Sequence, residues 1–271
     1  MTNTTLAYTE IGSGPAIVFL HGFCESKELW TDFTKPLQHQ FRIITVDLPG
    51  HGESPATQDF SMENQAQQVQ ETLQTLQVEK CLLVGHSMGG YVGMAMAELF
   101  PELLYGLCLF HSSALPDSEE KKETRNKTAD FVQKHGIDKF MDTFVAPLFA
   151  ESNRVSCTDA IEKMQAIGKA TPQETVLGCL QAMRDRPDRT EVLRTTAIPV
   201  FFIAGKEDPA VPVEATLQQC HLPENSMTYF LGHVGHMGMF ENTALTRQAL
   251  LKFAETLYPA DAQKYRAANS F

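Results

Sequence analysis

Lys80-Cys81-Leu82-Leu83-Val84-Gly85-His86-Ser87-Met88-Gly89-Gly90 is the stretch whose reading decides the fold. Residues 80–84 are a short apolar run of the kind that forms a buried strand, and residues 90–100 are an Ala- and Met-rich helical pattern stopped by Pro101. Between them Gly85-His86-Ser87-Met88-Gly89 fits G-x-S-x-G, so the order is strand, sharp turn, helix. A serine in such a turn takes a strained backbone conformation that exposes its hydroxyl. Glycines two residues to either side are needed because neighbouring chain passes where their side chains would stand.

Outward from this turn, short apolar strands alternate with longer helical patterns. Strands are expected at residues 6–9, 16–20, 41–46, 81–84, 105–110, 200–204 and 227–231, and helices at 27–39, 61–76, 87–100, 212–220 and 244–257. That alternation predicts an α/β fold, a mostly parallel twisted sheet of about eight strands flanked by helices. Gly12-Ser13-Gly14-Pro15 suits a tight turn and suggests that the first two strands open the chain as a hairpin. The alternation breaks once, at residues 112–194, which hold no convincing strand but several amphipathic helical patterns with Phe131, Phe140, Phe144, Met164, Ile167, Leu177, Leu180 and Met183 at apolar positions. The segment reads as a helical cap inserted into a core formed by residues 1–111 and 195–271. Some of those side chains are expected to roof a pocket.

Composition sets the outer bounds. The chain has 271 residues, 43% of them apolar, compatible with one α/β domain carrying an insertion and a sizeable core. Against 22 basic residues stand 33 acidic ones, a net charge of −11, with Lys121-Lys122 the one short basic cluster. This balance argues against nucleic acid and anionic membranes as partners. The first ten residues lack a signal-peptide pattern, and no window approaches the roughly 18 apolar residues of a membrane span. Six cysteines, Cys24, Cys81, Cys108, Cys157, Cys179 and Cys220, show no metal-binding spacing, and most read as small apolar residues in a reducing, cytoplasmic setting, with Cys24 held open.

Four motifs in order resemble the α/β-hydrolase superfamily over essentially the whole chain: His21-Gly22-Phe23 after an early strand, Asp47-Leu48-Pro49-Gly50-His51-Gly52-Glu53-Ser54, the Ser87 turn, and a late Asp followed by a His. A serine hydroxyl is a poor nucleophile at neutral pH and needs an adjacent base, itself oriented by an acid. The resemblance implies the chain order Ser, Asp, His. Asp208, in the loop after the strand ending near Gly205, is the expected acid, with Glu207 as the neighbouring alternative. In Gly235-His236-Met237-Gly238-Met239-Phe240-Glu241, His236 is the expected base, with His233 and His221 as lesser alternatives. His86 reads as a packing or hydrogen-bonding residue. The resemblance also implies an oxyanion hole built from the backbone amides of Met88 and Phe23. The side chains of Phe23, Met88 and Cys24 are expected to face the substrate entrance. The segment 47–54 reads as a shaped loop without a catalytic role, and Arg186-Pro187-Asp188-Arg189-Thr190 as a structural hinge where the cap rejoins the core.

A serine at the nucleophile position speaks against the haloalkane dehalogenases and epoxide hydrolases of this superfamily, which use an aspartate there. The expected reaction is hydrolysis of a small to medium, partly apolar carboxylic ester through an acyl-enzyme, with no metal or organic cofactor. Carbon–carbon bond hydrolysis, thioester, lactone and perhydrolase chemistry are the near alternatives. A non-catalytic receptor for a small ligand is the alternative of another class.

Overall fold

The computed structural model describes residues 5–258. The reading of the first ten residues as lacking a leader, and the core boundary at residue 271, fall in part outside the described residues. Seven strands form one sheet: β1 (Tyr8–Ile11), β2 (Ala16–Leu20), β3 (Arg42–Val46), β4 (Cys81–His86), β5 (Leu104–Phe110), β6 (Val200–Gly205) and β7 (Ser226–Leu231), in the order β1-β3-β2-β4-β5-β6-β7. All neighbours pair parallel except β1, which runs antiparallel to β3. The sheet thus has seven strands among the described residues where about eight were expected.

The expected opening hairpin is not formed. All five residues of β2 are buried and both of its edges are taken, by β3 and by β4. The polar, exposed β1 therefore closes the free edge of β3, with Tyr8 opposite Val46 and Ile11 opposite Ile43. A buried apolar strand gains more from two parallel neighbours than from its sequence-adjacent partner.

The helices are α1 (Thr31–Thr34), α2 (Met62–Thr75), α3 (Met88–Leu99), α4 (Glu119–His135), α5 (Ile137–Phe144), α6 (Thr158–Lys169), α7 (Gln173–Asp185), α8 (Thr190–Thr195), α9 (Val213–Gln219), α10 (Gly238–Glu241) and α11 (Thr243–Leu257). The single helix expected over residues 27–39 is instead two 3-10 turns around the short α1, because Pro36 cannot donate in the interior of an α-helix. On β5, a Cβ at Gly106 would touch Leu257 and lie close to Phe253 of α11, whereas the side chain of Leu107 lies against Gly93 of α3. Adjacent strand residues point to opposite faces, so α3 and α11 cover the two sides of the sheet.

Between β5 and β6, residues 112–194 are helical with no strand. Phe140, Met164, Leu180 and Met183 are buried there, and Phe144, Ile167 and Leu177 partly so. Phe131 departs from the expectation and is 38% exposed beside His135, because the buried residue of α4 is its neighbour Val132. Beneath the carboxyl ends of β2, β4 and β5 lies an aromatic cluster of Phe19, Trp30, Phe33 and Phe110, with ring centroids 5.0 to 6.3 Å apart. This rigid floor lies directly under His86.

Candidate active site

The turn after β4 has the geometry its glycines demand. Ser87 sits at φ +49°, its N–H donates to Phe110 O at 3.0 Å, and its carbonyl accepts from the Ser112 hydroxyl at 2.7 Å. A Cβ on Gly85 would collide with the carbonyl of Gly89, and one on Gly89 would stand 2.6 Å from His21 O. Both are backbone contacts that cannot yield. A positive φ at a non-glycine residue costs on the order of 1–3 kcal/mol, held here by close packing around the turn. Met88 opens α3, so its amide N–H lacks an intrahelical acceptor.

Asp208 lies in the loop after β6, buried, with one carboxylate oxygen accepting the amides of Ala210 and Val211, both at 2.8 Å. The other oxygen faces Nδ1 of His236 at 2.8 Å and Nδ1 of His111 at 3.0 Å. A carboxylate only accepts, so Nδ1 of His236 carries the proton and donates it, whereas Nδ1 of His111 faces both the Asp208 oxygen and the Gly205 N–H at 3.3 Å. The Nδ1 of His236 is thereby engaged by Asp208, and its Nε2 lies on the side of the ring away from the carboxylate. Burial disfavours the charged Asp208, but the neighbouring His236 and the hydrogen bonds from His111 and His236 outweigh it and hold the carboxyl well below its ordinary range. His111, itself at φ +49°, is kept neutral mainly by burial. Nε2 of His111 is buried without a partner.

Ser87 and His236 line one cavity of about 430 Å³, together with Phe23, Glu25, Tyr91, Phe140, Phe144, Leu148, Leu180, Met183 and residues of α4. Four of the eight apolar positions singled out in residues 112–194 thus reach it. The alternatives to Asp208 and His236 lie elsewhere. Glu207 and His233 pair with each other at 3.2 Å on the surface, where the His233 side chain is 89% exposed, and His221 is likewise exposed. Met88 and Cys24 depart from the expectation, since neither lines the cavity. Met88 is fully buried, and Cys24, at φ +58°, is buried near Cys179 with its thiol pKa pushed well up by desolvation.

Glu25 is the residue that sequence reasoning missed. One oxygen of its buried carboxylate accepts the Gly22 amide at 2.5 Å and faces His86 Nδ1 at 2.9 Å, while His86 Nε2 faces the backbone carbonyl of His236 at 3.0 Å. Both nitrogens of His86 confront acceptors, so both carry protons and the ring is an imidazolium. Burial opposes that charge, but the Glu25 carboxylate more than compensates and raises the His86 pKa, and His86 in turn keeps Glu25 low against its own desolvation. The pair ties the loop carrying Phe23 to the backbone of His236. Glu241 braces the same histidine from outside, accepting the amides of Gly235, Met237 and Ala150 at 2.9 to 3.0 Å.

The supporting loops hold as shaped elements. Asp47 is fully buried and pairs with Lys27 Nζ at 2.6 Å, and a Cβ on Gly52, at φ +53°, would collide with its carboxylate. The two hinge arginines are buried rather than solvated. Arg186 binds Asp117 at 2.7 Å and stacks 3.9 Å over the Tyr91 ring, and Arg189 binds Glu98 at 2.9 Å and Glu63. Among the described residues, the acceptor set that could hold a cation is His111, Asp208 and His236, whose ligand atoms lie within 4.8 Å of one another. The hydrogen bonds between them already account for that clustering.

A serine on a strained strand-to-helix turn at the carboxyl edge of a parallel sheet, facing a cavity shared with a histidine held by an aspartate, defines the class of the α/β hydrolases. The chain belongs to that family: the family model described as alpha/beta hydrolase fold matches residues 15–243. A thermophilic esterase from Thermogutta terrifontis, solved with malate bound, superposes with a TM-score of 0.88 at 29% identity, covering 93% of each chain. The 2-hydroxy-6-oxo-6-(2'-aminophenyl)hexa-2,4-dienoic acid hydrolase of Metapseudomonas resinovorans is 23% identical over 91% of this chain and 86% of its own length. The 3-oxoadipate enol-lactonase 1 of Acinetobacter baylyi is 25% identical over 79% of each. No helix among the described residues is long and apolar enough to cross a membrane.

Proposed function

We propose that the protein is a serine hydrolase that cleaves a carboxylic ester through an acyl-enzyme. Ser87 is the nucleophile, His236 the general base, Asp208 the acid that orients it, and the amides of Phe23 and Met88 the oxyanion donors. The observation that carries this reading is the buried Asp208–His236 hydrogen bond of 2.8 Å, which engages Nδ1 and turns Nε2 of His236 away from the carboxylate, beside the cavity that Ser87 also lines.

In the first half-reaction the Ser87 hydroxyl adds to the ester carbonyl while Nε2 of His236 takes its proton. The oxyanion is held by the two amides. Collapse of the tetrahedral species breaks the carbonyl–alkoxy bond, and His236 returns the proton to the departing alcohol. Water then adds to the acyl-serine with His236 again as base, and the acid leaves. Residues 112–194 act as the cap, excluding water and shaping the acyl site with Phe140, Phe144, Leu180 and Met183. The six unpaired cysteines fit a reducing, cytoplasmic setting.

A panel of p-nitrophenyl esters of increasing acyl length tests the proposal. Turnover is expected for short and medium chains, with Ser87→Ala lowering kcat by about 10⁴-fold or more. Turnover surviving that substitution sinks the serine mechanism. Stoichiometric labelling of Ser87 by a fluorophosphonate without ester turnover points instead to a ligand receptor.

A further inference from the structure

We infer that the substrate of this site carries an anionic carboxylate, seated against Lys121 and Arg125 of α4 while its ester lies at Ser87. The inference rests on the ester reading above and adds the class of ester.

The cavity has two unlike walls. On one, Phe23, Phe140 and Phe144 form an aromatic surface with ring centroids 4.7 to 6.3 Å apart. On the other, Lys121, Thr124, Arg125 and Thr128 line the same space. Their spacing of three, four and seven residues puts all four on one face of α4, so the helix presents a cationic and hydroxyl-bearing stripe to the site. An apolar ester alone has no use for that stripe.

The charges there do not cancel. Asp117 is shared by Arg125 at 2.9 Å and Arg186 at 2.7 Å, two cations on one buried carboxylate. Lys121 Nζ donates to a neutral acceptor, the carbonyl of Ala210, at 2.8 Å. Glu25 is matched by His86, which leaves the exposed Glu120 as the remaining carboxylate lining the cavity. Of the groups that line the cavity, Lys121 and Arg125 thus stand against one carboxylate, Glu120, that is not paired with His86, in a chain whose net charge is −11. Such local concentration against the global balance draws an anion to the cavity. Tyr91, also in the lining, feels the same field: burial would raise its pKa, but Arg186, Lys121 and Arg125 together lower it. Arg125 bonds Asp117 through Nε, which leaves its terminal nitrogens to meet a carboxylate.

The test compares matched esters by pH-stat. Monomethyl esters of linear dicarboxylic acids are set against methyl alkanoates of equal length, and O-acetyl ω-hydroxyalkanoates against alkyl acetates, so that the carboxylate is offered on either side of the ester. In at least one pair the anionic ester is expected to show kcat/KM about tenfold above its neutral partner, about 1.4 kcal/mol of preference. Lys121→Met is expected to bring that ratio towards one, and added NaCl to lower it. Lys122→Met, which removes a cation paired with Glu119 outside the cavity, leaves the ratio where it was. Because Arg125 also holds Asp117, Lys121→Met and the salt series decide the outcome if Arg125→Met fails to fold. Ratios at or below one in both series, with neutral esters turned over, overturn the inference and leave the ester reading standing. A ratio unmoved by Lys121→Met also overturns it. Turnover of no ester of either kind overturns the ester reading and the inference with it.

Discussion

Glu25→Gln isolates the charge of the buried Glu25–His86 pair with almost no change of shape. In the wild type one carboxylate oxygen takes the Gly22 N–H and the His86 Nδ1–H, and His86 spends its second proton on the His236 carbonyl. Without the carboxylate, a fully buried imidazole loses its proton. A neutral ring has one N–H for two acceptors. Either the His236 carbonyl then goes without a donor or, with the introduced NH2 turned to His86 Nδ1, the Gly22 N–H goes without an acceptor, at a cost of about 1–3 kcal/mol for a buried unsatisfied group. If that cost falls on the geometry of the Phe23 loop and His236, kcat drops by about 5- to 150-fold. KM moves much less, because the loop and the base act on the transition state rather than on the bound ester.

The assay is kcat and KM on one neutral ester, the affinity of an alkyl boronic acid that forms a tetrahedral serine adduct, and Tm. Boronate affinity is expected to fall in parallel with kcat, and Tm by several degrees. The pH dependence has a definite sign. With its folded pKa raised, His86 contributes fully below its ordinary value and loses the contribution as pH rises through the raised one. Glu25, lowered, contributes above the ordinary carboxyl range and loses it as pH falls through the depressed value. The stability gap between wild type and Glu25→Gln is therefore widest between about pH 4.5 and 6.5 and narrows on both sides. A variant with wild-type kcat, Tm and boronate affinity would refute the reasoning.

Three further outcomes are expected. His111→Phe removes one donor from Asp208 and should lower kcat/KM by about tenfold, whereas His111→Asn, which tolerates the positive φ and can still present an N–H, should retain more activity. Gly89→Ala forces a Cβ to 2.6 Å from His21 O and should cost about 1–3 kcal/mol in urea unfolding together with most of the activity, while Gly232→Ala, where a Cβ meets nothing within 4 Å, should leave both near wild type. Desolvation first, then the charge of His21, brings the His51 pKa from its ordinary 6.5 down to about 3, so the unfolded chain binds a proton that the folded one refuses. Stability should accordingly fall from pH 6.5 towards pH 3, by about 3 kcal/mol at pH 4.5 from this group alone. His51→Gln should flatten that slope in denaturant midpoints, and an unchanged slope would remove His51 as its source.

The parts of the molecule legible in the sequence are those coded by local periodicity and spacing. Apolar runs of strand length, helical stripes and the glycines around Ser87 each constrain a few consecutive residues, and six of the seven strands lie on those runs, whereas the polar β1 starts two residues beyond the expected 6–9. Where one local signal met another, the stronger tertiary term decided: the turn residues 12–15 invited a hairpin, but β2 could bury both edges only between β3 and β4. The order Ser87, Asp208, His236 was implied by the resemblance to the α/β-hydrolase superfamily, whose motifs each follow the end of a strand. Its supports were not. Glu25 and His86 are 61 residues apart, His111 and Asp208 97, and Asp117 and Arg186 69.

The sequence by itself determined the α/β alternation, the strained serine turn and the family, because these depend on neighbours along the chain. Only the tertiary structure decided that His86 is an imidazolium, that two histidines share one oxygen of Asp208, and that Lys121 and Arg125 turn inward to the cavity. Protonation state and charge balance are set by whatever groups burial brings together, and no spacing along a single chain encodes that encounter.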